Sequence, residues 1–413
     1  MRLSNVEYQK GVLLLMKKRM NKVFYIFMLA IALFITGTSG QAKSADDASM
    51  MDNSCGGFMS SIYGNITDTP LKTIGEEISI DNFGGVYLNE AGNYVVNVTD
   101  IGETSKARYV LTQNDINNVT FSTVKYSLLF LENAVDLLVP YMDEYRIMML
   151  DANDKTNLLD IFLSDYSEQN IERLVKLIST LGIPKDCINF VNCDGIVAKP
   201  TVMTNDNNSV GHGFCSNESL TAGIYNKLTP GFPITVGSYD YTLGPYRNGR
   251  FLTAGHLVMP SSLVRVPISP LTSETIGKIA DVYFGGYSDI STIALNSGYT
   301  QTEALSYNFL PAIVSAPVTM IGAVSKCSNG GILGVNAEVI YEGLGTLTLA
   351  YGTYSCAKGD SGGPIFNRAT VTNGTIDLGS IKNCFGVQSG GTFDDNDNWT
   401  GISFFTASNN FPN

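Results

Sequence analysis

The chain has 413 residues and a mass of 44.6 kDa, longer than one typical domain of roughly 100–200 residues, so about two folded units plus a processed segment are expected. Hydrophobic residues at 44% exclude general disorder, charged residues at 15% fall below the usual ~25%, and 41 glycines favour short strands and turns. A formal net charge of −12 and a pI near 4.7 leave no basic surface for a phosphate backbone, which argues against nucleic acid and anionic membranes as partners.

At the start, Lys17, Lys18, Arg19 and Lys22 precede an apolar stretch from Val23 to Ile35, followed by the small and polar residues Gly37, Ser39, Gly40 and Ala42. This pattern reads as a secretory signal over residues 1–42, with Met16 and Met20 as alternative starts. The stretch is shorter than the roughly 20 residues that span hydrocarbon, so a secreted, extracellular protein without stable membrane insertion is expected. Export permits disulfides, and seven cysteines is an odd number, so at least one thiol stays outside any pair within the chain. Cys187, Cys193, Cys215, Cys327, Cys356 and Cys384 form no CxxC, and there are only two histidines. No metal and no cofactor is expected.

Between about Ser44 and Pro200 the texture is α+β. Tyr87–Val98 reads as two short strands about a Glu-Ala-Gly-Asn turn. Ser127–Val139 puts Leu128, Leu131, Val135 and Leu138 on one helical stripe, and Ile171–Leu181 repeats the pattern with Leu174, Leu177 and Leu181. After Val202 the run Thr204–Ser209 and the Gly211-His212-Gly213 segment make a linker, and the periodicity changes. Phe251–Ala254, Leu263–Val266, Thr292–Leu295, Val318–Ile321, Ala337–Tyr341 and Thr346–Ala350 are short β-branched or apolar runs separated by Gly, Ser, Pro and Asn. Short strands without intervening helices predict a barrel or sandwich and not a parallel α/β sheet.

The sharpest string is Gly359-Asp360-Ser361-Gly362-Gly363-Pro364. Glycines on both sides of a serine allow a backbone that exposes its hydroxyl and aims amides at one point. A serine hydroxyl needs a base to become a nucleophile. His256 ends the apolar run Phe251-Leu252-Thr253-Ala254-Gly255, where an imidazole would face a cleft, whereas His212 lies between glycines in the linker. The imidazole in turn needs a carboxylate to fix its tautomer. Asp289, opening the strand-like Asp289–Leu295, is chosen over Asp281. The order His256, Asp289, Ser361 excludes an α/β-hydrolase, whose order is serine, acid, histidine, and matches double β-barrel serine proteases.

With these strings in place, residues from about Cys215 onward resemble a trypsin-like, chymotrypsin-fold serine protease, similar to secreted bacterial enzymes of the α-lytic protease and streptogrisin group. Gly386-Val387-Gln388-Ser389-Gly390-Gly391 is similar to that family's substrate-binding strand. The preceding unit, with Phe83-Gly84-Gly85-Val86-Tyr87 and its helices, resembles a pro-region. The resemblance implies an α+β pro-region over 43–205, an all-β double β-barrel domain over 206–413, and a zymogen of a serine endopeptidase acting on polypeptides. It also implies catalytic His256, Asp289 and Ser361, an oxyanion hole from the amides of Gly359 and Ser361, and substrate pairing by Ser389, Gly390 and Gly391. Asp360, expected buried, would pair with Lys326 in place of an inserted N-terminus.

Departures from the family pattern are local. Leu257 and not cysteine follows His256, and Cys384 precedes the Ser389 strand, so bridges of Cys356 or Cys327 to Cys384 are both open. Tyr354 and Ser355 fall at the primary pocket floor, with no acid to receive Lys or Arg, while Asp394, Asp395 and Asp397 read as a solvated run. The alternatives are a catalytically silent peptide-binding protein on the same scaffold and an esterase.

Overall fold

The computed structural model describes residues 54–63, 69–204, 227–269, 272–302, 306–372 and 375–412. The signal segment, His212, Cys215 and the linker from 205 lie outside the described residues.

The first part begins with α1 (Gly56–Tyr63) and α2 (Thr69–Glu77), followed by the hairpin β1 (Phe83–Leu88) and β2 (Tyr94–Val98). Its turn forms because the Asn89 side chain accepts from the amides of Ala91 and Asn93, both at 3.0 Å. α3 (Ser105–Gln113) leads to β3 (Val119–Thr123), which pairs parallel with β2. α4 (Leu128–Leu138) starts where the Ser127 hydroxyl accepts from the Phe130 amide, and it buries the expected stripe Leu128, Leu131, Val135 and Leu138. After β4 (Ile147–Asn153) and β5 (Leu158–Leu163), α5 (Glu168–Thr180) is capped in the same way by Ser167. Its buried face is Leu174 and Ile178; Leu177 and Leu181 lie at the margin, so the stripe is rotated slightly from the expected one. β6 (Ile188–Asn192), β7 (Val197–Pro200) and β8 (Met203–Thr204) complete this part.

Beyond residue 226 the chain is strand-rich, as its punctuated runs predict. β9 (Lys227–Leu228) is followed by β10 (Pro233–Val236), β11 (Tyr239–Thr242), β12 (Tyr246–Arg247), β13 (Arg250–Thr253), β14 (Leu263–Ser269), β15 (Thr272–Gly285) and β16 (Ser288–Leu295). Among the described residues an eight-stranded sheet has the order β12-β13-β16-β15-β14-β10-β11-β8 and encloses a core with Tyr241, Phe251, Val264, Ile279 and Ile293. β17 (Thr300–Gln301) pairs with β9, and β18 (Asn308–Phe309) pairs with a strand of the second sheet.

That second sheet contains β19 (Pro317–Gly322), β20 (Lys326–Tyr341), β21 (Gly345–Gly352), β22 (Pro364–Asn367), β25 (Asn383–Phe393) and β26 (Trp399–Ala407), with the small hairpin β23 (Val371–Thr372) and β24 (Thr375–Ile376) beside it. Eleven strands belong to it among the described residues, because β20 continues into β4, β5 and β6 of the first part through the pairs Glu338–Leu150 and Val339–Met149. The all-β body is therefore built on two mainly antiparallel sheets, and both take strands from the first part: β8 joins the first sheet, and β4, β5, β6 and β7 join the second.

Cys55, Cys187, Cys193, Cys356 and Cys384 are free thiols, which corrects the expected bridges from Cys384 to Cys356 or Cys327. For Cys356 the reason is reach. Cys384 begins β25, while the Cys356 Sγ lies 3.7 Å from the Gly390 carbonyl near the strand's other end, about 20 Å along at ~3.3 Å per residue.

Candidate active site

β13 and β16 run side by side in the first sheet, with Thr253 opposite Ser291. The chain leaving β13 therefore brings Gly255 and His256 onto the start of β16, where Asp289 sits. The Asp289 Oδ1 accepts from the amides of Gly255 at 2.8 Å and His256 at 2.7 Å, and its Oδ2 lies 2.6 Å from the His256 Nδ1. The Ser389 hydroxyl of β25 donates to the same Oδ2 at 2.5 Å. Burial alone would raise the Asp289 carboxyl; the adjacent imidazole and these hydrogen bonds outweigh it and hold the group below the usual carboxylate range. Asp281, the rejected alternative, forms an ion pair with Arg250.

Ser361 comes from the other sheet, on the loop before β22. Its Oγ lies 2.9 Å from the His256 Nε2, so serine, imidazole and carboxylate form one hydrogen-bonded line between the two sheets. Hydroxyls position the loop: Thr242 donates to the Gly359 carbonyl at 2.9 Å, and Thr253 donates to the Thr242 carbonyl at 2.9 Å. At Gly362, φ is 95°, and a Cβ would stand 2.1 Å from the Thr253 Oγ1 and 2.3 Å from the Thr242 carbonyl. Only glycine fits there.

Asp360 is buried next to the nucleophile as expected, but Lys326 is exposed and forms no ion pair with it among the described residues. The carboxylate instead accepts from the amides of Val324 at 2.9 Å, Ser325 at 3.0 Å and Ala357 at 2.8 Å. Three amide donors satisfy the buried oxygens, so a cation is redundant. Burial still raises this carboxyl, and the Ser325, Val324 and Ala357 contacts oppose the rise.

The cleft is filled by the chain's own segment. β7 lies antiparallel to β25, with Pro200 opposite Gly390 and Lys199 opposite Gly391. On its other edge the Glu342 amide donates to the Ala198 carbonyl at 3.0 Å. The Thr201 amide donates to the Ser389 carbonyl at 3.1 Å. The Thr201 carbonyl oxygen accepts from the Gly359 amide at 2.5 Å and from the Ser361 amide at 3.3 Å. Beyond it, Met203 and Thr204 pair with Asp240 and Tyr239 of β11.

Sequence reasoning missed Thr201, Thr242 and Thr253. Thr201 leaves one faint trace, since it stands immediately before Val202, where the composition changes. Thr253 stands in the run that ends at His256, but its donation to the Thr242 carbonyl carries no local signal, and neither does Thr242. No titratable cluster among the described residues could hold a metal ion.

No protein-family model matches the chain, and no curated protein matches it either. Solved structures similar to it include bacterial proteases. A Cellulomonas bogoriensis chymotrypsin is 23% identical with a TM-score of 0.34, covering 44% of this chain and 91% of that one. Thermobifida fusca protease A is 27% identical with a TM-score of 0.33, covering 44% and 92% respectively. A Nocardiopsis protease is 21% identical with a TM-score of 0.34, again covering 44% and 92%. The chain is thus similar to bacterial chymotrypsin-fold serine proteases over less than half its length.

Proposed function

We propose that this chain is an exported serine endopeptidase made as a precursor, and that it cuts its own backbone between Thr201 and Val202. One observation carries the reading: the Thr201 carbonyl oxygen accepts from the amides of Gly359 and Ser361 while the Ser361 hydroxyl is 2.9 Å from the His256 Nε2. That is the arrangement of a peptide bond presented for attack, with donors already aimed where negative charge develops.

In the reaction the Ser361 Oγ bonds to the Thr201 carbonyl carbon and its proton passes to the His256 Nε2. Asp289 accepts from the Nδ1 and stabilises the imidazolium. The oxyanion rests on the amides of Gly359 and Ser361, where loss of one donor typically costs about 10²- to 10³-fold in rate. Collapse breaks the Thr201–Val202 bond, the Val202 nitrogen takes the proton from His256, and water then releases Thr201 from the serine by the same steps reversed.

A small residue before the scissile bond follows from the walls around Thr201. Its Oγ1 touches the Ser361 Oγ and the Ser389 carbonyl, both at 3.2 Å. The Cys356 Sγ closes the space behind Gly391, where a Cβ would stand only 2.6 Å from the sulfur. Tyr354 is buried and donates to Gln388 at 2.8 Å, so it presents no open floor.

Expressed as the full chain, the wild type is expected to yield a fragment beginning at Val202 and to react with a fluorophosphonate, whereas Ser361→Ala stays whole and unlabelled. N-terminal sequencing and mass spectrometry read the outcome. A silent peptide binder would give the same intact band for both proteins.

A further inference from the structure

The side chain of Lys199 reaches beyond the backbone pairing of β7. Its Nζ lies 3.3 Å from the Asp397 Oδ1 and 3.6 Å from the Glu342 Oε2. Neither acid belongs to the first part of the chain. Glu342 immediately follows β20, and its amide holds the Ala198 carbonyl. Asp397 stands in the turn between β25 and β26.

That turn is built. The Asp394 carboxylate accepts from the amides of Asn396 at 2.9 Å and Asn398 at 2.8 Å, and the Asp397 amide donates to the Asp394 carbonyl at 3.0 Å. Asp397 takes φ = 59°, and its other oxygen accepts from Lys358 of the nucleophile loop at 2.7 Å. Lys358 and Lys199 together hold the Asp397 carboxyl below the usual range. Two acids face two lysines here. When Lys199 departs with the first part, Glu342, Asp397 and Lys358 keep one uncompensated negative charge beside the path of any peptide paired to Gly391.

We infer that Glu342 and Asp397 form a subsite for a cationic side chain at the third position before the scissile bond, making the enzyme selective for peptides with Lys or Arg there. This rests on the endopeptidase reading, because β7 is taken as the image of a bound substrate. An added strand delivers alternate side chains to fixed places, so a lysine paired to Gly391 meets these acids whichever chain supplies it. The acids are half exposed, which limits the gain to that of surface ion pairs and makes it sensitive to salt.

The test uses the self-processed full-chain protein and three anilide peptides, Ala-Lys-Pro-Thr, Ala-Ala-Pro-Thr and Ala-Glu-Pro-Thr. At low ionic strength kcat/KM is expected to fall in that order, with Lys over Ala by ~3- to 10-fold, and the ratio to shrink in high salt. In the E342Q/D397N double variant the Lys to Ala ratio is expected to approach unity; because it is a ratio, it does not depend on how much of the variant folds. Equal turnover of the Lys and Ala peptides by the wild type overturns the subsite and leaves the endopeptidase standing, as does a Lys preference that survives in the double variant. Turnover of none of the three by a protein that fluorophosphonate fails to label sinks the endopeptidase and the subsite with it.

Discussion

Four donors converge on the buried Asp289 carboxylate: two amides, the His256 ring and the Ser389 hydroxyl. Asp289→Asn keeps the shape but places an amide opposite the His256 Nδ1, which favours the wrong tautomer. Self-cleavage at Val202 is expected to slow by about 10⁴-fold with an unchanged circular dichroism spectrum. Because the folded carboxyl sits below its usual range, its contribution to stability is fully present above the unfolded value and is lost as pH falls through the lowered one. A denaturation series should therefore show this loss only on the acid side, below the ordinary value of 3.8. His256, Asp289 and Ser361 are legible in the sequence because each lies in a short string whose chemistry is local and whose order along the chain is diagnostic. Thr242, Thr253 and Thr201 are not, since each acts through a backbone partner that only the tertiary fold brings near. Asp360 shows a further limit. A buried acid can be read from its neighbours, but whether a lysine or a set of amides satisfies it depends on how the loop at 324–325 closes.

Strands are more readable than their neighbours. Each of the six punctuated runs after residue 226 falls on a strand, with Phe251–Ala254 overrunning β13 by one residue, and the hairpin at Tyr87–Val98 and the helix at Leu128–Leu138 form where turn residues and apolar spacing put them. The junction of β4 with β20 is invisible beforehand, because the apolar run Ile147–Leu150 that opens β4 specifies burial without naming a partner. β7 is equally silent: Val-Ala-Lys-Pro carries no motif, and its place follows from the open edges of β25 and β20. At the junction the Tyr351 hydroxyl donates to the Asp151 Oδ2 at 2.8 Å, both groups being buried. Tyr351→Phe removes that donor and is expected to destabilise the Ser361→Ala full chain by about 1–3 kcal/mol, measured as a lower urea midpoint with an unchanged slope.

On the scale of the whole molecule, acids gather where β20 meets the first part of the chain. Asn336 of β20 donates to Glu132 of α4 at 3.1 Å, and Asp136, Asp154 and Glu338 lie near enough to repel it. Part of Glu132 still reaches solvent, yet burial of its carboxyl, opposed by Asn336 and reinforced by those acids, pushes it up to about 8. Asp154 is pushed up to about 6 by burial, against the hydrogen bonds from Tyr63 and Val86. An acid whose folded pKa is raised binds its proton more tightly when folded, so stability declines between the unfolded value and the raised one. The Ser361→Ala chain is expected to need more urea to unfold at pH 5 than at pH 8, and Glu132→Gln to narrow that gap. An unchanged gap in the variant would place the pH sensitivity elsewhere. Finally, the strand that fills the cleft is covalently tied to it. A tethered occupant keeps a local concentration on the order of millimolar however dilute the protein becomes. Dilution therefore leaves the cleft occupied; on the proposed reading, only a cut between Thr201 and Val202 lets the strand drift away.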